Sequence, residues 1–169
     1  MRSSLAKKMP AIPNTLTGAA GEHLVAAHLS IRGYSVGLTR GGSRAVDILA
    51  SNFDGSHSVA IQVKASATAR AEQKKNVAGS HWTFMLSTSD LQNTMGSLIY
   101  VFVSLRSHSI DNADFFIMPG CLVSRRLEEK YSTKERKSTI RMLNIFDHEK
   151  DQYHGRWDII EAALTKKNG

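Results

Sequence analysis

Val46-Asp47-Ile48-Leu49-Ala50 and Ser58-Val59-Ala60-Ile61-Gln62-Val63-Lys64 are two short apolar runs separated by a stretch containing Asn52-Phe53-Asp54-Gly55-Ser56. An Asp-Gly step between two β-prone runs predicts a hairpin. Side chains alternate between the two faces of a strand, so Val59, Ile61 and Val63 are predicted on one face and Ala60, Gln62 and Lys64 on the other. Gln62 and Lys64 then share a face, across a hairpin from the single carboxylate of the first run, Asp47.

Outward from the hairpin, Leu16, Ala20, Leu24, Ala27 and Ile31 recur at three- and four-residue steps, with Val25 and Leu29 beside them. That spacing predicts an amphipathic helix from about Thr15, ended by Gly33. Tyr34 to Thr39 reads as a strand and Arg40 to Ala45 as a glycine-containing loop leading to Asp47. Met1 to Asn14 reads as a flexible basic arm, since Pro10 and Pro13 oppose helix.

After the hairpin, Ser66 to Ser80 is polar and alanine-rich and reads as a mobile loop or short helix. Trp82 to Ser87, Ser97 to Leu105 and Asp114 to Met118 are predicted strands that complete a sheet, and Arg141 to Phe146 an edge strand. A helix is expected after Pro119, and a closing helix should bury Trp157, Ile160 and Leu164. Between them Arg125, Arg126, Lys130, Lys134, Arg136, Lys137 and Arg141, interrupted by Glu128, Glu129 and Glu135, form either a solvated helical face or a surface for the DNA backbone. No repeat or second-domain boundary is visible, so residues 15–169 are expected to form one α/β domain.

The order of these residues resembles the PD-(D/E)XK nucleases, and among them the archaeal-type Holliday junction resolvases. The resemblance is carried by the helix with Gly21 and Glu22, by Gly33-Tyr34-Ser35-Val36, by Gly41-Gly42-Ser43-Arg44, by Val46-Asp47-Ile48, and by Ile61-Gln62-Val63-Lys64-Ala65-Ser66. It implies a restriction-endonuclease-like fold, with a central mixed sheet flanked by helices, and metal-dependent hydrolysis of DNA phosphodiesters with Mg²⁺ or Mn²⁺ as cofactor. Asp47 would anchor the metal, helped by the amide oxygen of Gln62, the carbonyl of Val63 and Glu22 from the first helix. Lys64 would orient or deprotonate water or stabilise the transition state, while Ser43 and Arg44, and less strongly Ser66, would hold the substrate phosphate. The family usually has Glu or Asp where this chain has Gln62, and Val46 replaces a usual proline. A neutral amide keeps an oxygen ligand and removes a negative charge, so a catalytically inactive module that binds DNA or a protein is the alternative.

Composition is compatible with either reading. The 169 residues, 41% of them hydrophobic, suffice for one core, and a formal net charge of +7 favours an anionic partner such as DNA. No apolar run is long enough for a bilayer and no secretory block opens the chain, so a cytoplasmic protein without membrane contact is expected. Cutting two strands would call for a homodimer. The lone Cys121 reads as a core or inert thiol rather than a nucleophile. His23 and His28, five apart, read as solvent or packing residues, His81 and Trp82 as packing on the sheet, and Tyr34 and Tyr100 as core or half-core aromatics. The fingerprints of α/β hydrolases, P-loop and dinucleotide-binding proteins and zinc proteases are missing.

Overall fold

The computed structural model describes residues 12–39, 46–71, 79–88, 98–106, 109–131 and 138–165. Helix α1 (Asn14–Ile31) is followed by strands β1 (Ser35–Leu38), β2 (Ile48–Ser51), β3 (Ser58–Ser66), β4 (Arg70–Ala71), β5 (His81–Ser87), β6 (Leu98–Ser104) and β7 (Asp114–Pro119). Helix α2 (Gly120–Tyr131), strand β8 (Ile140–Phe146), the short helix α3 (Lys150–Tyr153) and helix α4 (Asp158–Thr165) complete the described chain.

The predicted class is the observed one: a mixed five-stranded sheet in the order β1-β2-β3-β6-β7, with helices against it. β3 is antiparallel to β2 and parallel to β6, in a register that places Gln62 beside Tyr100, Lys64 beside Phe102 and Ser66 beside Ser104. The expectation of one sheet is corrected, however. β5 pairs with β8 and β4 in a separate three-stranded sheet. The pattern of β5 (buried Trp82, Phe84 and Leu86, alternating with more exposed residues) marks a half-buried strand but carries no information about its partner.

Two cores result, one on each face of the central sheet. Val59, Ile61 and Val63 pack with Val25 and Leu29 of α1 and with Trp157, Ile160 and Leu164, so the closing segment lies on the same face as α1. Tyr100, Phe102, Phe116 and Met118 pack on the other face against Trp82, Phe84, Leu143, Val123 and Leu127. Ala60 belongs to that second face, which confirms the alternation predicted along β3.

Helix α1 begins at Asn14, inside the segment read as an arm, and residues 1–11 lie outside the described residues. Gly33 ends it with φ of 88°, a left-handed conformation that suits glycine. Its buried residues are Thr17, Gly21, Val25 and Leu29, whereas Leu16 and Ile31 are exposed, so the buried stripe is rotated from the expected one. The cause is Gly21. A Cβ built there would sit 2.5 Å from Cβ of Ala65, so α1 rests on β3 along a line through a missing side chain, which an apolar periodicity cannot register.

The charge-dense segment, where it is described, is a solvated helical face at Arg125, Glu128, Glu129 and Lys130, which are exposed, and it has a second role. The outer edge of β8 would expose backbone groups, and α2 covers them: Lys130 Nζ donates to Met142 O at 2.7 Å, Tyr131 Oη accepts from Met142 N at 3.0 Å, and Arg126 Nη2 donates to Asn144 O at 3.2 Å. Arg126 also donates to Glu149 at 2.7 Å. Arg126 and Lys130 therefore close a strand edge that would otherwise invite pairing with another chain. Lys134, Glu135, Arg136 and Lys137 lie outside the described residues. Cys121 is exposed, against the core reading. His23 is exposed and His28 stacks on Trp157 with ring centroids 4.9 Å apart, in line with solvent and packing roles. Among the described residues no helix is long and apolar enough to cross a membrane.

Candidate active site

The β2–β3 ladder stops at the pair Ile48 and Ile61. One residue earlier the chain bends: Asp47 donates its N–H to Ile61 O at 2.9 Å on the β3 side, while its carbonyl accepts from Thr39 N at 2.9 Å on the β1 side. A residue in a regular strand directs both groups to one neighbour, so this split turns Asp47 out of the ladder. Its carboxylate then takes the place that β2 backbone would have occupied. Asp47 Oδ2 accepts from Val63 N at 2.7 Å and from Gln62 Nε2 at 3.1 Å. In a strand the N–H and C=O of one residue leave by the same edge, so the Val63 carbonyl also opens toward the Asp47 side.

Gln62 is 5% exposed and spends its amide N–H on Asp47, which leaves Oε1 buried with no hydrogen-bond partner. An acceptor stranded in this way costs free energy of the order of 1–3 kcal/mol. Glu22 comes from α1, one residue past the close contact of Gly21 with Ala65. Burial first, and the Asp47 charge second, raise its pKa above the ordinary glutamate value, with His23 acting weakly the other way. Two carboxyl groups from distant parts of the chain thus feel each other electrostatically. Lys64 stands two residues beyond Gln62, half-buried, on the face assigned to Gln62 by the strand alternation.

The donor set can be tested against a hard divalent cation. Mg²⁺ prefers oxygen ligands, a few carboxylates and retained waters. Here the oxygens are those of Asp47 and Glu22, the carbonyl of Val63 and the stranded Oε1 of Gln62, whose unmet acceptor capacity a cation would satisfy. Among the described residues no group of three or more His, Cys, Asp or Glu side chains is arranged to hold a metal, so Asp47 and Glu22 would need Gln62 and a backbone carbonyl to complete a ligand set here. On the evidence of the orphaned amide oxygen, the residues fit.

Ser43 and Arg44 lie outside the described residues. Ser66 closes β3, where its Oγ accepts from Thr68 N at 3.2 Å and its carbonyl from Leu105 N at 2.9 Å, so its hydroxyl shapes the turn that follows. That turn leads to a group the sequence did not single out: Arg70, Trp82, Ser104, Arg106, Asp147 and Lys150 surround a cleft at the end of β3. Arg70 is one of three basic residues, with Lys74 and Lys75, in the polar segment after Lys64. The other cleft residues come from β5, β6, α3 and the connections that follow β6 and β8, and are brought together by the pairing of Ser66 with Ser104 and of Arg70 with Trp82.

No protein-family model and no curated protein matches the chain. Solved structures do. The fold is similar to a bacterial homing endonuclease, I-Ssp6803I, with a TM-score of 0.49 and 13% identity over 88% of this chain and 92% of that one. It is also similar to Hjc, a Holliday junction resolvase from Archaeoglobus fulgidus, with a TM-score of 0.47 and 15% identity over 85% of this chain and 95% of that one. At such identities the role of each residue has to come from its own surroundings.

Proposed function

We propose that the chain is a metal-dependent endonuclease that hydrolyses phosphodiester bonds of DNA at the Asp47 site. The observation that carries this reading is the convergence of Gln62 and Val63 on the Asp47 carboxylate, with Gln62 Oε1 buried and without a partner and with Glu22 near enough for the Asp47 charge to raise its pKa. Asp47, Glu22, Gln62 Oε1 and the Val63 carbonyl would hold Mg²⁺ or Mn²⁺. Such an ion polarises a phosphate and makes a bound water more acidic. Asp47 is kept in place by two N–H donors, so its carboxylate does not have to reorganise when the substrate arrives. Lys64 presents an ammonium group on the same face, suited to stabilise charge developing on the phosphate oxygens and to orient the attacking water. Ser43 and Arg44, which shortly precede Asp47 in the sequence, carry groups suited to hold the phosphate. Cleavage of both strands would bring two copies of the chain together.

A second reading has its own observation. The Gln62 amide satisfies one oxygen of Asp47 without any cation, which is what a module that has exchanged catalysis for DNA or protein binding would use. Single-turnover cleavage of linear, nicked, branched and single-stranded DNA with Mg²⁺ or Mn²⁺ separates the two. The nuclease reading expects product from at least one substrate, with equal or higher rates in Gln62→Glu as the added charge tightens metal binding. No product from any substrate, with either metal and in either protein, contradicts it and selects the binding module.

A further inference from the structure

The cleft beyond β3 encloses about 470 Å³ and is bounded by Ala67, Thr68, Arg70, Trp82, Arg106 and Lys150, with Ser104 and Asp147 completing the wall. Its charged groups are unevenly matched. Arg70 grips Asp147 through both terminal nitrogens, Nη2 at 3.0 Å, and lies over the Trp82 ring with its guanidinium carbon 4.1 Å from the centroid. Arg106 grips Asp114 through Nε and Nη2 at 2.7 and 2.9 Å, a pairing that does not use Nη1. Lys150 Nζ lies 5.7 Å from the centre of the same Trp82 ring. The indole nitrogen of Trp82 is buried and has no acceptor. Three cationic side chains and the hydroxyl residues Thr68 and Ser104 thus line a cleft whose wall holds one carboxylate, Asp147, already held by Arg70, while Arg106 is matched by Asp114 outside that wall.

We infer that this cleft binds a phosphodiester of the nucleic-acid strand engaged at the Asp47 site, a subsite that rests on the nuclease reading and extends it. Position supports the assignment. Lys64 and Thr68 are four residues apart, a span of at most about 13 Å along an extended chain. A strand of duplex DNA rises 3.4 Å per nucleotide, so the cleft lies within about four nucleotides of the reacting phosphate. Chemistry supports it too. Arg106 Nη1 and Lys150 Nζ can add charge-assisted bonds to phosphate oxygens without breaking the Asp114 or Asp147 pairs, and Thr68 offers a hydroxyl. The contact is to backbone and carries no base information, so it positions the strand rather than reads it.

The test uses the ¹⁵N-labelled full chain without divalent metal, titrated with a short DNA duplex and, separately, with inorganic phosphate. The Trp82 indole resonance, assigned by its loss in Trp82→Phe, is expected to shift with DNA as Arg70 and Lys150 rearrange over the ring, while the Trp157 indole stays put. Lys150→Gln is expected to weaken DNA binding severalfold and to reduce the slope of log K against log salt by about one. DNA binding with an unmoved Trp82 resonance and an unchanged slope in Lys150→Gln overturns the subsite alone. A Trp82 shift with inorganic phosphate but not with DNA also overturns it, in favour of a free-phosphate site. Failure of the protein to bind DNA at any salt overturns the nuclease reading beneath it as well.

Discussion

Asp114 and Asp47 are both fixed at strand ends by several hydrogen bonds, yet the partners differ in kind. Asp114, 6% exposed, is clasped by the Arg106 guanidinium at 2.7 and 2.9 Å and by His154 Nε2 at 3.1 Å. Asp47 is held by the amides of Gln62 and Val63 and shares its surroundings with another carboxyl group, Glu22, whose pKa is raised by burial and by the Asp47 charge. A carboxylate answered by a guanidinium is a structural tie. One held by amides, near a second carboxyl and next to a glutamine with an unpartnered amide oxygen, has further oxygen donors close by, which is what the proposed cation site would use.

The widest separation between the two is expected on substitution. Asp47→Asn should lower single-turnover DNA cleavage at least about a hundredfold, because several kcal/mol of transition-state stabilisation pass through that ligand. Its stability in urea should stay within about 1 kcal/mol of the parent protein, since an amide oxygen can still accept from Val63. Asp114→Asn should do the reverse, losing about 2 kcal/mol as Arg106 loses its charged partner and one of the two oxygens that Arg106 and His154 share becomes an amide nitrogen, with cleavage per folded molecule retained. Equal effects of both substitutions on cleavage would erase the distinction.

Gly21→Ala probes how Glu22 reaches Asp47. With 2.5 Å available to the new Cβ, α1 must lift from β3, at an expected cost of about 1–3 kcal/mol together with a fall in cleavage. Pairing it with Ala65→Gly should restore both, which a double-mutant cycle in urea and in single turnover would read as strong coupling. Additive losses would mean that the contact does not set the position of Glu22.

A smaller effect is expected from pH. The native state raises the Glu22 pKa, so it binds the proton more tightly than the unfolded chain does, and stability falls as pH rises from the unfolded value near 4.5 through the higher folded value. Without divalent metal, Glu22→Gln should therefore be more stable than the parent above that window and no more stable below it. Added Mg²⁺ should raise the melting temperature of the parent protein and raise that of Glu22→Gln less. Thermal melts from pH 4 to 8, with and without Mg²⁺, check both signs.

The smallest change is expected at the β8 edge. Lys130→Met should cost about 1 kcal/mol in urea, through the lost bond to Met142 O, and leave DNA affinity nearly unchanged. A loss of DNA binding larger than the loss of stability would return this lysine to a DNA-contacting surface.

The site was far more legible in the sequence than its setting. A period of two along Val59 to Lys64 is enough to separate the faces of β3, and Asp47 followed by an apolar run and an Asp-Gly turn is enough to bring it across from Gln62. The bend that directs its carboxylate to Val63 N–H was not readable, because it depends on where the β2 ladder stops. The buried stripe of α1 was misread because Gly21 contributes to it by having no side chain. Arg126 and Lys130 looked like surface charge because their acceptors, Asn144 O and Met142 O, are backbone groups that carry no sequence signal. The same applies to the cleft at the end of β3, which exists only once Ser66 lies beside Ser104 and Arg70 beside Trp82.

The most direct measurement of the central claim is Mn²⁺ titration of the ¹⁵N-labelled protein, following paramagnetic broadening of its amide resonances. The Val63 backbone amide and the Gln62 side-chain amide should broaden first, at substoichiometric Mn²⁺, and stay sharp in Asp47→Asn. Sharp resonances at Gln62 and Val63 while other amides broaden, or unchanged broadening there in Asp47→Asn, would contradict a metal centre at Asp47.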